Sequence, residues 1–216
     1  LTADPSGGPT AGVGFLLRIA TIIQRREEAA FTILDPGRAA YIYIDSLPAA
    51  QAIINIYAPN SHRDQFFLKV HAALNDISQN TPIPNECLLA GDFNCVPSTQ
   101  LDYSAAKGQN TPYDNGGADE LLELTLDLGL GDLFRNTNPN TKIFTWGVTS
   151  SAFSKVRLDR WYTPILSANE HSSGIDGTTW LSDHTGVTLT ITPLANRKLG
   201  KTTSKKRVDI NVLHTT

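Results

Sequence analysis

The chain has no methionine, only two cysteines, and no apolar run longer than a few residues. Without a methionine it has no translational start of its own, so the opening Leu1-Thr2-Ala3-Asp4-Pro5 is expected to be the interior of a longer product. Runs such as Ala52 to Tyr57 fall far short of the roughly 20 residues that a helical membrane span needs, and no basic leader precedes an apolar stretch. A soluble domain with no membrane partner is expected. Cys87 and Cys95 bracket an apolar stretch that reads as a strand, and an extended strand holds them too far apart to bridge. Reduced thiols in an intracellular protein are therefore expected. Positive charge is scarce as well. The net charge is −3, yet Arg197, Lys198, Lys201, Lys205, Lys206 and Arg207 against Asp209 give residues 194–216 a charge of +5, which leaves −8 on residues 1–193. Such a body excludes broad electrostatic attraction to nucleic acid, so a polyanion must meet a local patch, the tail or a metal ion.

What is present suits one domain over residues 1–193 followed by a basic tail or linker, because 216 residues at 40% hydrophobic content can close a sizeable core. Ala11 to Leu17 reads as a buried strand opened by a glycine turn, and Ala40 to Ile44 and Ala52 to Tyr57 read as further strands around a turn at Pro48. Phe66, Phe67, Val70, Ala73, Leu74 and Ile77 fall at helical spacing, with Ser61 as the expected cap and Pro82 and Pro84 beyond the end. An apolar run then stops abruptly in Gly91-Asp92-Phe93-Asn94. A polar stretch to Gly117 precedes a leucine-rich helix from Asp119 to Leu128, closed by Gly129 and Gly131. Strands are expected around Ile143 to Trp146, Lys155 to Tyr162 and Gly186 to Ile191. Alternating strands and helices that give way to consecutive strands predict an α/β sandwich on mixed sheets.

Each chemical candidate has an ordinary structural explanation beside it. Asp92 and Asn94 can form an Asx-turn after a buried strand. Tyr57-Ala58-Pro59-Asn60 can be a strand terminator. Asp159, within Arg157-Leu158-Asp159-Arg160, can pair with a neighbouring arginine. Asp183-His184 can be a polar loop entering a strand, and His62, His71, His171 and His214 suggest only surface placement.

The joint occurrence, in order, of Tyr-x-Pro-Asn, Gly-Asp-Phe-Asn, Arg-Leu-Asp-Arg and Ser-Asp-His at predicted strand ends is more specific than any one of them. The set resembles the endonuclease/exonuclease/phosphatase superfamily with the DNase I-like fold. Asn55 to Asn60 followed by Arg63, Gly91 to Cys95 leading to Leu101-Asp102-Tyr103-Ser104, Phe144-Thr145-Trp146, and Ser154 to Arg160 are similar to the apurinic-type endonuclease domain of non-LTR (LINE-type) retrotransposons. The resemblance runs from about Gly12 to about Thr192 and implies a four-layer α/β sandwich with two mixed sheets. It also implies a metal-dependent phosphodiesterase that nicks target DNA, with Mg²⁺ or Mn²⁺ as cofactor and a fused reverse transcriptase region as a partner in the longer protein. Nuclear location follows if that branch holds. Other readings of the same superfamily are an inactive remnant of such an element, a cellular abasic-site endonuclease, or a phosphatase.

By this resemblance, Asp92 would orient or deprotonate the attacking water, Asn94 would hold that water or a phosphate oxygen, and Asn60 would donate to the same phosphate. Tyr57 would stabilise the leaving oxygen. A protonated His184, oriented by Asp159, would donate to the phosphate. Asp92, Asn94, Asp183 and His184 would hold the metal, while Arg63, Trp146 and Arg157 would face DNA. The superfamily also implies an asparagine and a metal-binding glutamate on strands before the one matched by Gly12 to Leu17, and residues 1–11 contain neither. Glu27 and Glu28 come after that strand. On this reading the first strand-helix-strand unit is lacking, metal affinity and activity are weakened, and a hydrophobic edge and face lie uncovered.

Overall fold

Three consecutive stretches, Ala39–Ile44, Ala52–Tyr57 and Cys87–Asp92, are apolar at nearly every position, which is the pattern of strands covered on both faces. The computed structural model describes residues 12–15, 29–44, 52–80, 87–109, 112–148, 153–165, 171–176 and 182–191. The expected turn at Pro48, the Pro82 and Pro84 loop, Glu27, Glu28 and the basic tail lie outside the described residues.

In chain order the elements are β1 (Ala29–Asp35), β2 (Ala39–Ile44), β3 (Ala52–Tyr57), α1 (Arg63–Asn80), β4 (Cys87–Asp92), α2 (Thr99–Asp102) and β5 (Tyr103–Ser104). They continue with α3 (Ala118–Asp127), β6 (Leu130–Asp132), α4 (Leu133–Thr137), β7 (Lys155–Val156), β8 (Asp159–Pro164), β9 (His171–Asp176) and β10 (Gly186–Ile191). The main sheet has the order β1-β2-β3-β4-β8-β6, in which β3 and β4 are parallel and joined by α1 while the other pairs are antiparallel. It is therefore a mixed sheet.

Alternation along its strands divides the core in two. Ala52, Ile54 and Ile56 of β3, Cys87 and Leu89 of β4, and Tyr162 of β8 meet Phe66, Phe67, Val70 and Leu74 of α1 and Leu121 and Leu124 of α3. On the opposite face Ile53, Leu88, Ala90 and Trp161 meet Leu189 and Ile191 of β10, Leu133 of α4 and Phe15. The indole N–H of Trp161 donates to the Val187 carbonyl (3.2 Å), which ties the antiparallel β9–β10 pair to the main sheet. Helices, mixed sheet and β9–β10 make three layers of the expected sandwich; helices outside β9–β10 are not among the described residues. Both cysteines are buried and unbridged.

Several expected boundaries move. The main-chain N–H of Phe66 bonds to the His62 carbonyl, so α1 starts later than a cap at Ser61 allows, and His62 sits at a positive φ of 55°. Ile143 to Trp146 is not a strand: Thr145 lies in a bend, and Trp146 makes only single bridges to Val156 and His184. The expected strand from Lys155 to Tyr162 breaks into β7, paired with β5, and β8, in the main sheet. The break occurs because the Arg157 N–H bonds to the Asp102 carbonyl while the Thr145 hydroxyl accepts from the N–H groups of Leu158 (2.9 Å) and Asp159 (3.0 Å). β1, β5, β6, β9, α2 and α4 are not expected from the sequence pattern.

Candidate active site

The antiparallel register of β4 and β8 places Asp92, the last residue of one strand, directly opposite Asp159, the first residue of the other. Both side chains are buried, at 2% and 3% exposure. Two carboxylates carried by register into a dry position require compensation. His184 supplies it: Nδ1 lies 2.9 Å from Asp159 Oδ2, and Nε2 lies 3.9 Å from Asp92 Oδ2. The segment carrying His184 is pinned to the same strand end, since Thr185 N–H donates to the Thr145 carbonyl (2.6 Å). Burial alone disfavours the charged imidazole, but the hydrogen bond and charge of Asp159, helped by Asp92 and Asp183, outweigh it and hold His184 up to about 9. Asp92 is raised too, which for a carboxylate favours the neutral form: burial and then Asp159 push it up to about 6.

The Asx-turn and the placement of Asp92 on the cleft coexist. Oδ1 accepts from the Asn94 N–H (2.9 Å), closing the turn, while Oδ2 faces His184. Asn94 takes a left-handed conformation (φ 48°) that asparagine tolerates, and its Nδ2 donates to the Ala58 carbonyl (2.6 Å). That bond joins the Gly-Asp-Phe-Asn corner to the Tyr-x-Pro-Asn corner at the end of the neighbouring parallel strand. Gly91 makes the approach possible: its φ is +140°, and a Cβ there would stand 1.9 Å from the Ile56 carbonyl oxygen.

Tyr57, Asn60, Arg63, Asp92, Asn94, Trp146, Asp183 and His184 all line one open cleft of about 710 Å³. Tyr57 stands at the end of β3 with the Arg38 guanidinium 4.8 Å above its ring. Trp146 forms part of the wall, and its indole N–H donates to Asp183 Oδ2 (2.8 Å). Arg157 is a correction. It is 2% exposed and absent from the cleft, because its guanidinium is spent on two carboxylates: Nε donates to Asp102 Oδ1 (2.7 Å), and Nη2 to Asp132 Oδ2 (2.6 Å). It cannot face DNA. Nor is Asp159 explained by a neighbouring arginine, since Arg160 lies over the rings of Phe93 and Tyr162 and donates to the carbonyls of Cys95 and Arg157. Arg63 reaches the cleft but is only 6% exposed and is held by backbone carbonyls. Thr145, whose hydroxyl and carbonyl position both Asp159 and His184, was missed; the available signal was a small polar residue between Phe144 and Trp146.

Asp92, Asp159 and His184 each offer a ligand atom, all within 4.8 Å of one another. Two buried carboxylates beside one imidazolium leave a negative charge in excess, and the raised proton affinity of Asp92 comes first from its burial and then from the charge of Asp159. Oxygen donors on Asp92, Asn94 and Asp183 around one cleft fit a hard divalent cation that shares its shell with water and substrate. His184 can join such a shell only as the neutral ring, because an imidazolium has no lone pair to give. Among the described residues lining the cleft, the cations Arg63 and His184 face the carboxylates of Asp92, Asp114 and Asp183.

No family model and no curated protein matches the sequence. Solved structures do. The chain is similar to a 3′ phosphatase, NExo, from Neisseria, bound to product DNA hairpin (TM-score 0.57, 21% identity, 76% of this chain and 70% of that one). It is similar to an AP endonuclease from Archaeoglobus fulgidus (TM-score 0.55, 21% identity, 76% and 70%). A third is the endonuclease domain of TRAS1, a telomere-specific non-LTR retrotransposon (TM-score 0.53, 15% identity, 82% and 71%). At these identities the likeness establishes the architecture.

Proposed function

We propose that this chain, which has the DNase I-like fold, is a metal-dependent phosphodiesterase domain that nicks DNA. The observation that carries the reading is the Asp159–His184–Asp92 arrangement at the floor of the cleft, where a cationic donor stands beside a carboxylate of raised proton affinity. Phosphodiester hydrolysis needs both: a base for the attacking water and fixed positive charge for the phosphate oxygens.

Asp92 receives the proton of the attacking water on Oδ2, since Oδ1 is engaged by the Asn94 N–H. A base near 6 is ionised at neutral pH and still holds a proton better than an ordinary carboxylate. His184 donates through Nε2 to a non-bridging oxygen while Asp159 keeps its Nδ1 side occupied and its ring charged. Asn60 and the side chain of Asn94 bind the same phosphate, and Tyr57, which lines the same cleft, stabilises the leaving oxygen through its hydroxyl. Trp146 packs against the sugar or base next to the scissile bond. Asp92, Asn94 and Asp183 would hold Mg²⁺ or Mn²⁺, which supplies charge to the phosphate oxygens of the substrate.

The retrotransposon branch, with a fused reverse transcriptase and residues 194–216 as the linker toward it, is supported by the sequence motifs and by the similarity to the TRAS1 domain. The test is nicking of supercoiled plasmid. Relaxation should require Mg²⁺ or Mn²⁺ and collapse in His184→Ala, and cleavage that persists fully in EDTA, or survives that substitution, refutes the mechanism.

A further inference from the structure

Arg63 combines near-complete burial with a position on the cleft, which an arginine serving only as a phosphate contact does not need. We infer that Arg63 is a positioning residue, which fixes Asn60 and the loop 112–117 against the head of α1 and does not itself take a phosphate. The inference rests on the phosphodiesterase reading above, in which Asn60 donates to the substrate.

All three guanidinium nitrogens have internal partners. Nε donates to the Gly116 carbonyl (2.6 Å), Nη1 to the Asn60 carbonyl, and Nη2 to the Asp114 carbonyl (3.0 Å), with Asp114 Oδ2 2.9 Å from Nη2. The loop is moulded onto this residue: Gly117 has a φ of +85°, and a Cβ there would stand 2.6 Å from the Cβ of Arg63. The same loop carries Tyr113, which stacks on Tyr103 with ring centroids 4.7 Å apart and lines the cleft wall. A planar fork therefore joins the Tyr-x-Pro-Asn corner to one wall of the site. Four of its five N–H donors are taken in this way, so a two-pronged grip on a phosphate would require Arg63 to let go of the loop or of the Asn60 carbonyl. Lysine keeps the charge but cannot span three carbonyls in one plane.

The test is Arg63→Lys in the full chain, read by plasmid nicking and by binding to a labelled duplex across a salt series. A displacement of Asn60 by about 1 Å should lower kcat about 100-fold, with the slope of log K against log[salt] unchanged. A phosphate contact would instead show as a slope reduced by about 1 in Arg63→Gln, which removes the charge that lysine keeps. The loss should also be largely absent when Arg63→Lys is introduced into Asn60→Ala, because both changes remove one function. If Arg63→Lys does not fold, Asp114→Ala removes the exposed carboxylate that pairs with Arg63 Nη2 and accepts from the Gly116 N–H, and should give a smaller kcat loss with the same unchanged slope. A wild-type chain that nicks, with losses that multiply in the double variant, a slope that falls in Arg63→Gln, or a full kcat in Asp114→Ala, overturns this inference alone. A wild-type chain that neither binds nor nicks DNA overturns the phosphodiesterase reading and this one with it.

Discussion

Replacing Asp159 with asparagine tests the electrostatic basis of the site most directly. The substitution keeps the shape and an oxygen 2.9 Å from His184 Nδ1, but removes the charge that offsets the desolvation of the ring. His184 should then fall from about 9 toward its ordinary 6.5. That difference corresponds to about 3 kcal/mol of interaction between the imidazolium and its surroundings, of which Asp159 is the leading favourable part and Asp92 and Asp183 the remainder. The sign follows from linkage. A histidine whose proton affinity rises on folding adds stability that is complete below pH 6.5 and lost as pH climbs through about 9. In EDTA, the imidazole Cε1–H signal of His184 in proton NMR should titrate near 9 in the wild type and between 6 and 7 in Asp159→Asn. The alkaline limb of the nicking profile should move to lower pH by a similar interval. A wild-type His184 that titrates near 6.5, or one whose midpoint Asp159→Asn leaves in place, would refute the argument.

Two more outcomes follow from the buried charges. Asp92 is pushed up to about 6, so between pH 3.8 and 6 the folded chain retains a proton that the unfolded chain has released, and stability falls as pH rises through that interval. Asp92→Asn, which can still accept from Asn94 N–H, should abolish nicking yet raise thermal stability at neutral pH in EDTA by about 1–3 kcal/mol; calorimetry that shows a lower Tm contradicts this. Arg157→Ala leaves Asp102 and Asp132 without their shared partner and should cost about 3–5 kcal/mol in urea unfolding. It should leave the salt dependence of DNA binding untouched, and a slope lowered by about 1 would return Arg157 to the DNA surface.

Much of this site was legible in the sequence because its side chains sit where regular patterns stop. β3, β4 and β10 follow from apolar runs, α1 and α3 from helical spacing, and the motifs lie where those patterns end. Their convergence depends on register, which one sequence does not reveal: Asp92 and Asp159 meet only because β8 lies antiparallel beside β4. Arg157 misled because a charged residue beside a motif residue looks like part of it, whereas Asp102 and Asp132, which bury it, come from distant elements with no periodic signal. β6 and β9 escaped for opposite reasons, the first being three residues long and the second rich in serine and glycine. The break between β7 and β8 turned on a single threonine hydroxyl.

The place of β8 between β4 and β6 also bears on how the molecule forms. β4 can pair with β3 as soon as α1 has folded across, but its other edge is closed only by a strand made much later. Until Asp159 to Tyr162 leaves the ribosome, the edge of β4 that it pairs, Leu89 to Asp92, stays open beside the apolar Cys87 and Leu88, the kind of edge on which chains aggregate. Completing the sheet therefore hides that edge and sets the second carboxylate opposite the first in one event. Before that event the corners carrying Tyr57, Asn60, Asp92 and Asn94 can meet, but Asp159 is not there to face Asp92, and a fragment ending before β8 should be insoluble as well as inert.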